Sequence, residues 1–401
     1  LQPVADGGHV MILQVFPNRK FGDDIDTKGN ADVPYTESPL RATGNDCFGI
    51  PHRNDWFDTV KLNYGVDYST GMCQFTPIPD TWVKMLKILL YWASQGVDGF
   101  RCDMVELTPV AFWQWAVPQV KAQYPGIIFI GEIYQPHLYR SFIYQGGFDY
   151  LYDKVGLYDT LRAISENRGN VYNITSTLQQ TADISKHMLT FLENHDEQRF
   201  ASEFFGGDAL KTFAPLYVSL FLNTAPFMIY FGEEVGECGM DEEGFSGKDG
   251  RTTIFDWWSV GSLRRLRKVI ASGEYKTLNV SKLVKAGLKR EEAMVFCRFA
   301  EAVKFASADE AIGKGTTYDL CYCNMSSDGF DKNRHFVFLR DFEDHTLLIA
   351  SNFSNNEAKM KIIIPEHAFE WMGIPVSEEL YPGKELEISV KPMDGSVIQL
   401  I

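Results

Sequence analysis

The chain has 401 residues, enough for one large core plus a smaller one, and its 45 % apolar and 23 % charged residues are ordinary for a folded globular protein. Acidic residues outnumber basic ones by 53 to 38, and the resulting net charge of −15 repels phosphate backbones and anionic surfaces, which argues against a nucleic-acid partner. No run of eighteen apolar residues occurs, so no helical membrane span is expected, and the seven cysteines (47, 73, 102, 238, 297, 321 and 323) show neither a paired framework nor C-x-x-C metal spacing, so reduced thiols are expected.

Residues 1–75 are rich in Gly, Asp, Asn and Pro with few helical periods, and read as an irregular lobe and lead-in. From Pro79 the pattern becomes helical: Trp82, Met85, Leu86, Leu89, Trp92 and Ala93 recur at helical spacing, and Gly96 stands where a C-terminal cap belongs. Val97–Asp103 follows as a short strand, then a second helical pattern from Thr108 to about Gln123. Ile127–Glu132 is an apolar strand ending on a carboxylate, and similar strands are read at Phe148–Tyr152, His187–Glu193 and Pro226–Phe231. Short apolar strands alternating with helices predict β-α units and a parallel sheet. Residues 280–330 carry mixed charge and little clear period, and read as closure of that unit plus a linker. Beyond residue 335, four segments (Phe336–Leu339, Thr346–Ala350, Met360–Ile364 and Leu386–Val390) separated by Asn, Asp, Gly and Pro predict an antiparallel sandwich.

Three strand ends carry candidate chemistry. In Gly99-Phe100-Arg101-Cys102-Asp103, Arg101 and Asp103 are two apart and leave the same face, so the guanidinium keeps the carboxylate ionised, as a nucleophile requires. Glu132 ends an apolar strand, where desolvation favours a carboxyl that retains its proton, the profile of a general acid. Asn194-His195-Asp196 supplies a third carboxylate and an imidazole after another apolar run. Taken singly, each has a bland alternative: a strand-end ion pair, a helix cap or solvated glutamate, and a structural His-Asp pair. Together they place three carboxylates at C-terminal strand ends of one β-α series, where barrel enzymes put their chemistry. A pair of carboxyls across a glycosidic bond, one attacking and one donating a proton, is what retaining hydrolysis needs, and a third stabilises oxocarbenium-like charge.

These residues carry a resemblance. Gly99-Phe100-Arg101-x-Asp103, Gly131-Glu132 and Asn194-His195-Asp196 resemble, in order and spacing, three signature regions of the α-amylase family of glycoside hydrolases, and Ala225–Glu234 looks like its last barrel strand with the Gly-x-Glu turn. The resemblance implies an α/β fold: a (β/α)8 TIM-type barrel with an inserted irregular lobe and a C-terminal antiparallel β-sandwich, divided as 1–75, 76–330 and 331–401. It implies Asp103 as nucleophile, Glu132 as acid/base and Asp196 as transition-state stabiliser. Arg101, His195, Glu106 and Tyr134 are the candidate substrate-binding residues, and the partner is an α-glucan or malto-oligosaccharide. The expected reaction is retaining cleavage of α-1,4-glucosidic bonds, with transglycosylation, or glucan binding without catalysis, as the alternatives.

Two departures from the family pattern stand out. Its third-strand motif, Asp-x-x-x-Asn-His, has Gln14-Val15-Phe16-Pro17-Asn18-Arg19 as nearest string, so the chain is expected to begin inside the inserted lobe, without the first barrel strands. The start at Leu1 has no initiator Met or signal sequence and leaves localisation open. Where many members have Lys-His after the nucleophile, this chain has Glu106-Leu107. No cofactor or metal is expected, a structural calcium being unsupported by these motifs. Glu106 either reaches the acceptor side of the cleft or complements the N-terminus of the helix that follows Thr108 and Pro109. Oligomeric state is not legible in the sequence.

Overall fold

The computed structural model describes residues 62–67, 70–239, 248–254 and 260–401. The expectations placed on 1–61, including the string Gln14–Arg19, lie outside the described residues. The chain divides into two compact units, Leu1–Leu151 and Tyr152–Ile401.

The first unit opens on a two-stranded antiparallel pair, β1 (Val66–Asp67) and β2 (Met72–Cys73). Helix α1 (Asp80–Ser94) follows, and the chain leaves it through Gly96 at φ +87°, as the cap signal predicted. Trp82, Leu86 and Ala93 are buried, whereas Trp92 is 51 % exposed. At 100° per residue Trp92 sits about 80° away from Trp82 around the helix, while Leu86 and Ala93 stay within about 40° of it. Trp92 therefore falls off the buried face to which its apolar character assigned it. Next come β3 (Gly99–Cys102), a 3-10 turn (Val105–Leu107), α2 (Val110–Gln123), β4 (Ile128–Gly131), the short α3 (Tyr139–Tyr144) and β5 (Tyr150–Tyr152). β3 pairs parallel with β4, Gly99 opposite Ile128 through Cys102 opposite Gly131, and β4 pairs parallel with β5. Two glycines allow this close approach: a Cβ on Gly99 would stand 2.5 Å from the Ile128 carbonyl oxygen, and one on Gly131 2.9 Å from Leu151 Cδ2. Phe112, Trp113, Phe129 and Phe148 pack edge to face beneath these strands.

In the second unit, α4 (Asp159–Ser165) and α5 (Tyr172–Thr181) precede β6 (Met188–Phe191), all four residues of which are buried. α6 (Phe213–Phe221) leads to β7 (Phe227–Met228), parallel to β6 through Thr190 opposite Phe227. Between 260 and 315 lie α7 (Gly261–Ser272), α8 (Val280–Ala286), α9 (Arg290–Ala308) and α10 (Glu310–Gly313). Nineteen residues of α9 thus occupy a stretch whose period was unclear in the sequence. Its buried face includes Glu292, which Arg265 pairs through Nε at 3.0 and 2.9 Å, so a charged residue breaks the apolar stripe that marks a helix.

The antiparallel region has four strands in the order β13-β10-β9-β8, with β8 (Thr316–Asp319), β9 (His335–Phe342), β10 (His345–Asn352) and β13 (Asp394–Gln399), and a separate pair of β11 (Ala358–Ile363) and β12 (Glu385–Val390). α11 (Glu366–Met372) connects the pair. Residues of both sheets share one apolar core with α6 and α9. Fully buried Arg340 on β9 donates to the carbonyls of Leu222, Ala311 and Ile312 at 3.2, 3.0 and 2.6 Å, adding donors to carbonyls at helix ends. The α/β class and the antiparallel sandwich are both present. β8 and β13 were not read from the sequence, because Thr-Thr-Tyr-Asp and Asp-Gly-Ser-Val-Ile-Gln carry turn residues and no apolar run.

Candidate active site

In the first unit, parallel pairing carries two carboxylates to the same edge. The Glu132 amide donates to the Cys102 carbonyl at 2.9 Å and the Val105 amide to the Glu132 carbonyl at 2.9 Å, so the backbone pairing of β3 and β4 continues past both strand ends. Met104, just after Asp103, adopts the left-handed region at φ +40°, a conformation that costs energy for a residue with a Cβ. That turn directs the Met104 amide to Glu132 Oε2, to which it donates at 3.0 Å. Arg101 spans both acids: Nη1 donates to Asp103 Oδ1, and Nη2 lies 2.8 Å from Glu132 Oε1. The Asp103 side chain is 60 % exposed and that of Glu132 only 3 %. One carboxylate is open to a ligand, and the other is withdrawn and held by donors.

Glu106 lies in the 3-10 turn and its Oε1 accepts the Tyr134 amide at 3.2 Å, while the Tyr134 hydroxyl donates to Glu132 Oε1 at 2.7 Å. Burial pushes the Glu106 carboxyl above its ordinary range, against the lowering effect of backbone donors, and its Oε2 is buried without a hydrogen-bond partner. Helix α2 is preceded by Pro109 and has no side-chain cap bond. The contacts of Glu106 therefore run to residue 134, not to the helix end.

In the second unit, β6 delivers Asn194-His195-Asp196. Asn194 Oδ1 accepts the amides of Asp196 and Glu197, both at 2.9 Å, fixing the turn that presents Asp196, whose side chain is 52 % exposed. His195 Nε2 is 3.2 Å from Asp196 Oδ2. Beneath this turn is a buried network. Glu193 Oε2 accepts from Arg199 Nη1 at 2.7 Å and Oε1 from the Phe200 amide at 2.7 Å; Arg199 also donates to Thr252 Oγ1 at 3.1 Å and to the Phe231 carbonyl at 2.7 Å. Glu233 is buried beside it, accepting the Tyr230 amide at 2.9 Å. Desolvation, then mutual repulsion of Glu193 and Glu233, hold the Glu233 carboxyl well above its ordinary range. Glu193 and Arg199 were not singled out in the sequence, although an acid closing an apolar run and a base six residues on are its visible signal.

Among the described residues, no group of three or more His, Cys, Asp or Glu side chains is arranged to hold a metal ion, and no helix is long and apolar enough to cross a membrane.

Residues 76–268 match the family model for the α-amylase catalytic domain. The chain is 42 % identical over 55 residues to an α-1,4-glucan:maltose-1-phosphate maltosyltransferase of Rhodospirillum rubrum, covering 14 % of this chain and 8 % of that protein. It is 24 % identical over 208 residues to neopullulanase 2 of Thermoactinomyces vulgaris, covering 49 % and 34 % respectively. The chain thus spans at most about a third of the length of these two relatives. Among solved structures, it is similar to the α-amylase of H. orenii (TM-score 0.60, 17 % identity, 94 % of this chain and 76 % of that one). It is also similar to the Nostoc punctiforme debranching enzyme (TM-score 0.59, 16 % identity, 94 % and 70 %). At such identities the likeness is one of fold. The signature residues stand at the ends of parallel strands inside the segment, 76–268, that matches the α-amylase catalytic domain.

Proposed function

We propose that this chain supplies the catalytic carboxylates of a retaining enzyme that hydrolyses α-1,4-glucosidic bonds of starch-like glucans or malto-oligosaccharides. The observation that carries the reading is Arg101, one guanidinium engaging an exposed Asp103 and a buried Glu132 at adjacent strand ends. Retaining glycosidases set their two carboxyls about 5–5.5 Å apart, and a shared guanidinium keeps two acids at short separation. Asp103, ionised and accessible, attacks the anomeric carbon. Glu132 gives a proton to the departing glycosidic oxygen and then takes one from the water that releases the glycosyl group. Asp196 and His195 are assigned to charge stabilisation and hydroxyl binding on their motif alone.

Incubation with maltoheptaose followed by chromatography tests this. Shorter sugars alone support hydrolysis, and longer sugars would replace it with transfer, the reaction named for the maltosyltransferases that this chain matches. Intact maltoheptaose would leave glucan binding as the role. Glu132→Gln should lose activity on glucans and retain more on glycosyl fluorides, whose leaving group needs no proton; equal losses on both would remove Glu132 from the acid role.

A further inference from the structure

We infer that Tyr134 and Glu106 are positioning residues for Glu132, and that they fix on which oxygen its proton is carried. The inference rests on the acid role proposed above and assigns these two residues differently from sugar contacts. A carboxylate offers about four lone-pair sites. On Glu132, Oε1 accepts the Tyr134 hydroxyl at 2.7 Å and is ion-paired with Arg101 Nη2 at 2.8 Å. Oε2 accepts the Met104 amide at 3.0 Å. Oε1 thus faces the cationic guanidinium as well as a hydroxyl donor, whereas Oε2 faces one backbone amide and no cation. A proton held for a leaving group therefore resides on Oε2, and Arg101 and Tyr134 orient the carboxyl so that this oxygen stays the available one.

Glu106 acts one step further back. Its Oε1 accepts the amide of residue 134 itself, so the turn that carries the Tyr134 ring is tied to the turn that follows the nucleophile. The contact crosses from the end of β3 to the end of β4 and couples the segment of Asp103 to the segment of Glu132. Its position, half-buried with Oε2 enclosed and unpartnered, suits a structural acceptor whose neutral amide replacement loses little. A hydroxyl that donates to a carboxyl stabilises its charged form, so loss of the Tyr134 hydroxyl is the change a pH profile would register.

The test compares Tyr134→Phe, Glu106→Ala, Glu106→Gln, the double variant Tyr134→Phe/Glu106→Ala and Glu132→Gln by kcat, KM and pH profile. Each is assayed on a malto-oligosaccharide and on maltosyl fluoride. Tyr134→Phe should lower kcat on the oligosaccharide by about tenfold with KM little changed, lose less on the fluoride, and move the alkaline limb of kcat/KM to higher pH. Glu106→Ala should lower kcat in the same pattern, Glu106→Gln should stay within about threefold of the parent, and the double variant should be far less impaired than the product of the single losses, because both act through one carboxyl. A raised KM with unchanged kcat and an unmoved alkaline limb would overturn the inference, leaving both residues as sugar contacts. Fully multiplicative losses would remove Glu106 from the chain of contacts. Glu132→Gln separates the two levels: equal loss on both substrates sinks the acid assignment itself, whereas fluoride-sparing loss there with an unmoved limb in Tyr134→Phe sinks only the positioning.

Discussion

Two arginine-carboxylate pairs stand at strand ends in this molecule, and their difference is instructive. Arg101 with Asp103 and Glu132 is partly open, the arginine side chain 29 % and the aspartate 60 % exposed. Arg199 with Glu193 is closed, at 0 % and 2 %. In sequence the two look alike, an Arg a few residues from an acid at the end of an apolar run. In the structure the closed pair spends all its hydrogen bonds on protein: Thr252, the Phe231 carbonyl and the Phe200 amide complete it. The open pair leaves the Asp103 carboxyl where a ligand can reach it. An ion pair at a strand end is therefore no mark of catalysis by itself; accessibility of one partner is what sets the proposed site apart from a buttress.

Four substitutions probe that contrast, in descending order of effect. Asp103→Asn removes the carboxylate proposed to attack, at nearly constant volume, so turnover should fall by at least about 10⁴-fold while the unfolding midpoint stays put. Residual turnover within about tenfold of the parent would exclude Asp103. Arg199→Ala leaves the Glu193 charge buried and unpaired and should cost about 3–5 kcal/mol in denaturant unfolding. A cost below about 1 kcal/mol, the range of exposed pairs, would mean that the network is not the buttress described. Arg101→Ala should invert this profile, with kcat down by about 10²–10³-fold and a stability change under about 1 kcal/mol. Comparable stability losses in the two arginine variants would erase the distinction.

The smallest effect is one of pH. Burial and the neighbouring Glu193 raise the Glu233 carboxyl well above its ordinary range, so the native protein holds a proton that the unfolded chain releases. The stability tied to that proton is complete below the ordinary glutamate range and is lost as pH rises through the raised folded value. Melting temperature measured from acid to mildly alkaline pH should therefore decline more steeply in the parent than in Glu233→Gln, whose amide cannot ionise. Parallel curves would show that Glu233 is not protonated in the native state.

The sequence by itself determined which segments are apolar, which acids end them and in what order. The strands Ile128–Gly131 and Met188–Phe191 and the helices Asp80–Ser94 and Val110–Gln123 follow from local periodicity, because burial of one face writes itself into spacing. Asp103, Glu132 and Asp196 were legible for the same reason: a carboxylate closing an apolar run is conspicuous in a linear string. Other features were decided by partners distant in the chain. Asp394–Gln399 is a strand because β10 supplies its hydrogen bonds, and Arg290–Ala308 is a helix whose broken stripe is repaired by Arg265. Trp92, apolar but outside the arc of the buried face, could be placed only by geometry. Tyr134 and Glu106 are the sharpest case at the site: their sequence positions make them neighbours of the acids and nothing more. The Tyr134 bond to Glu132 spans only two positions, but the Glu106 bond to the residue 134 amide joins residues 28 positions apart, brought together by the parallel pairing of β3 and β4, which no local pattern encodes.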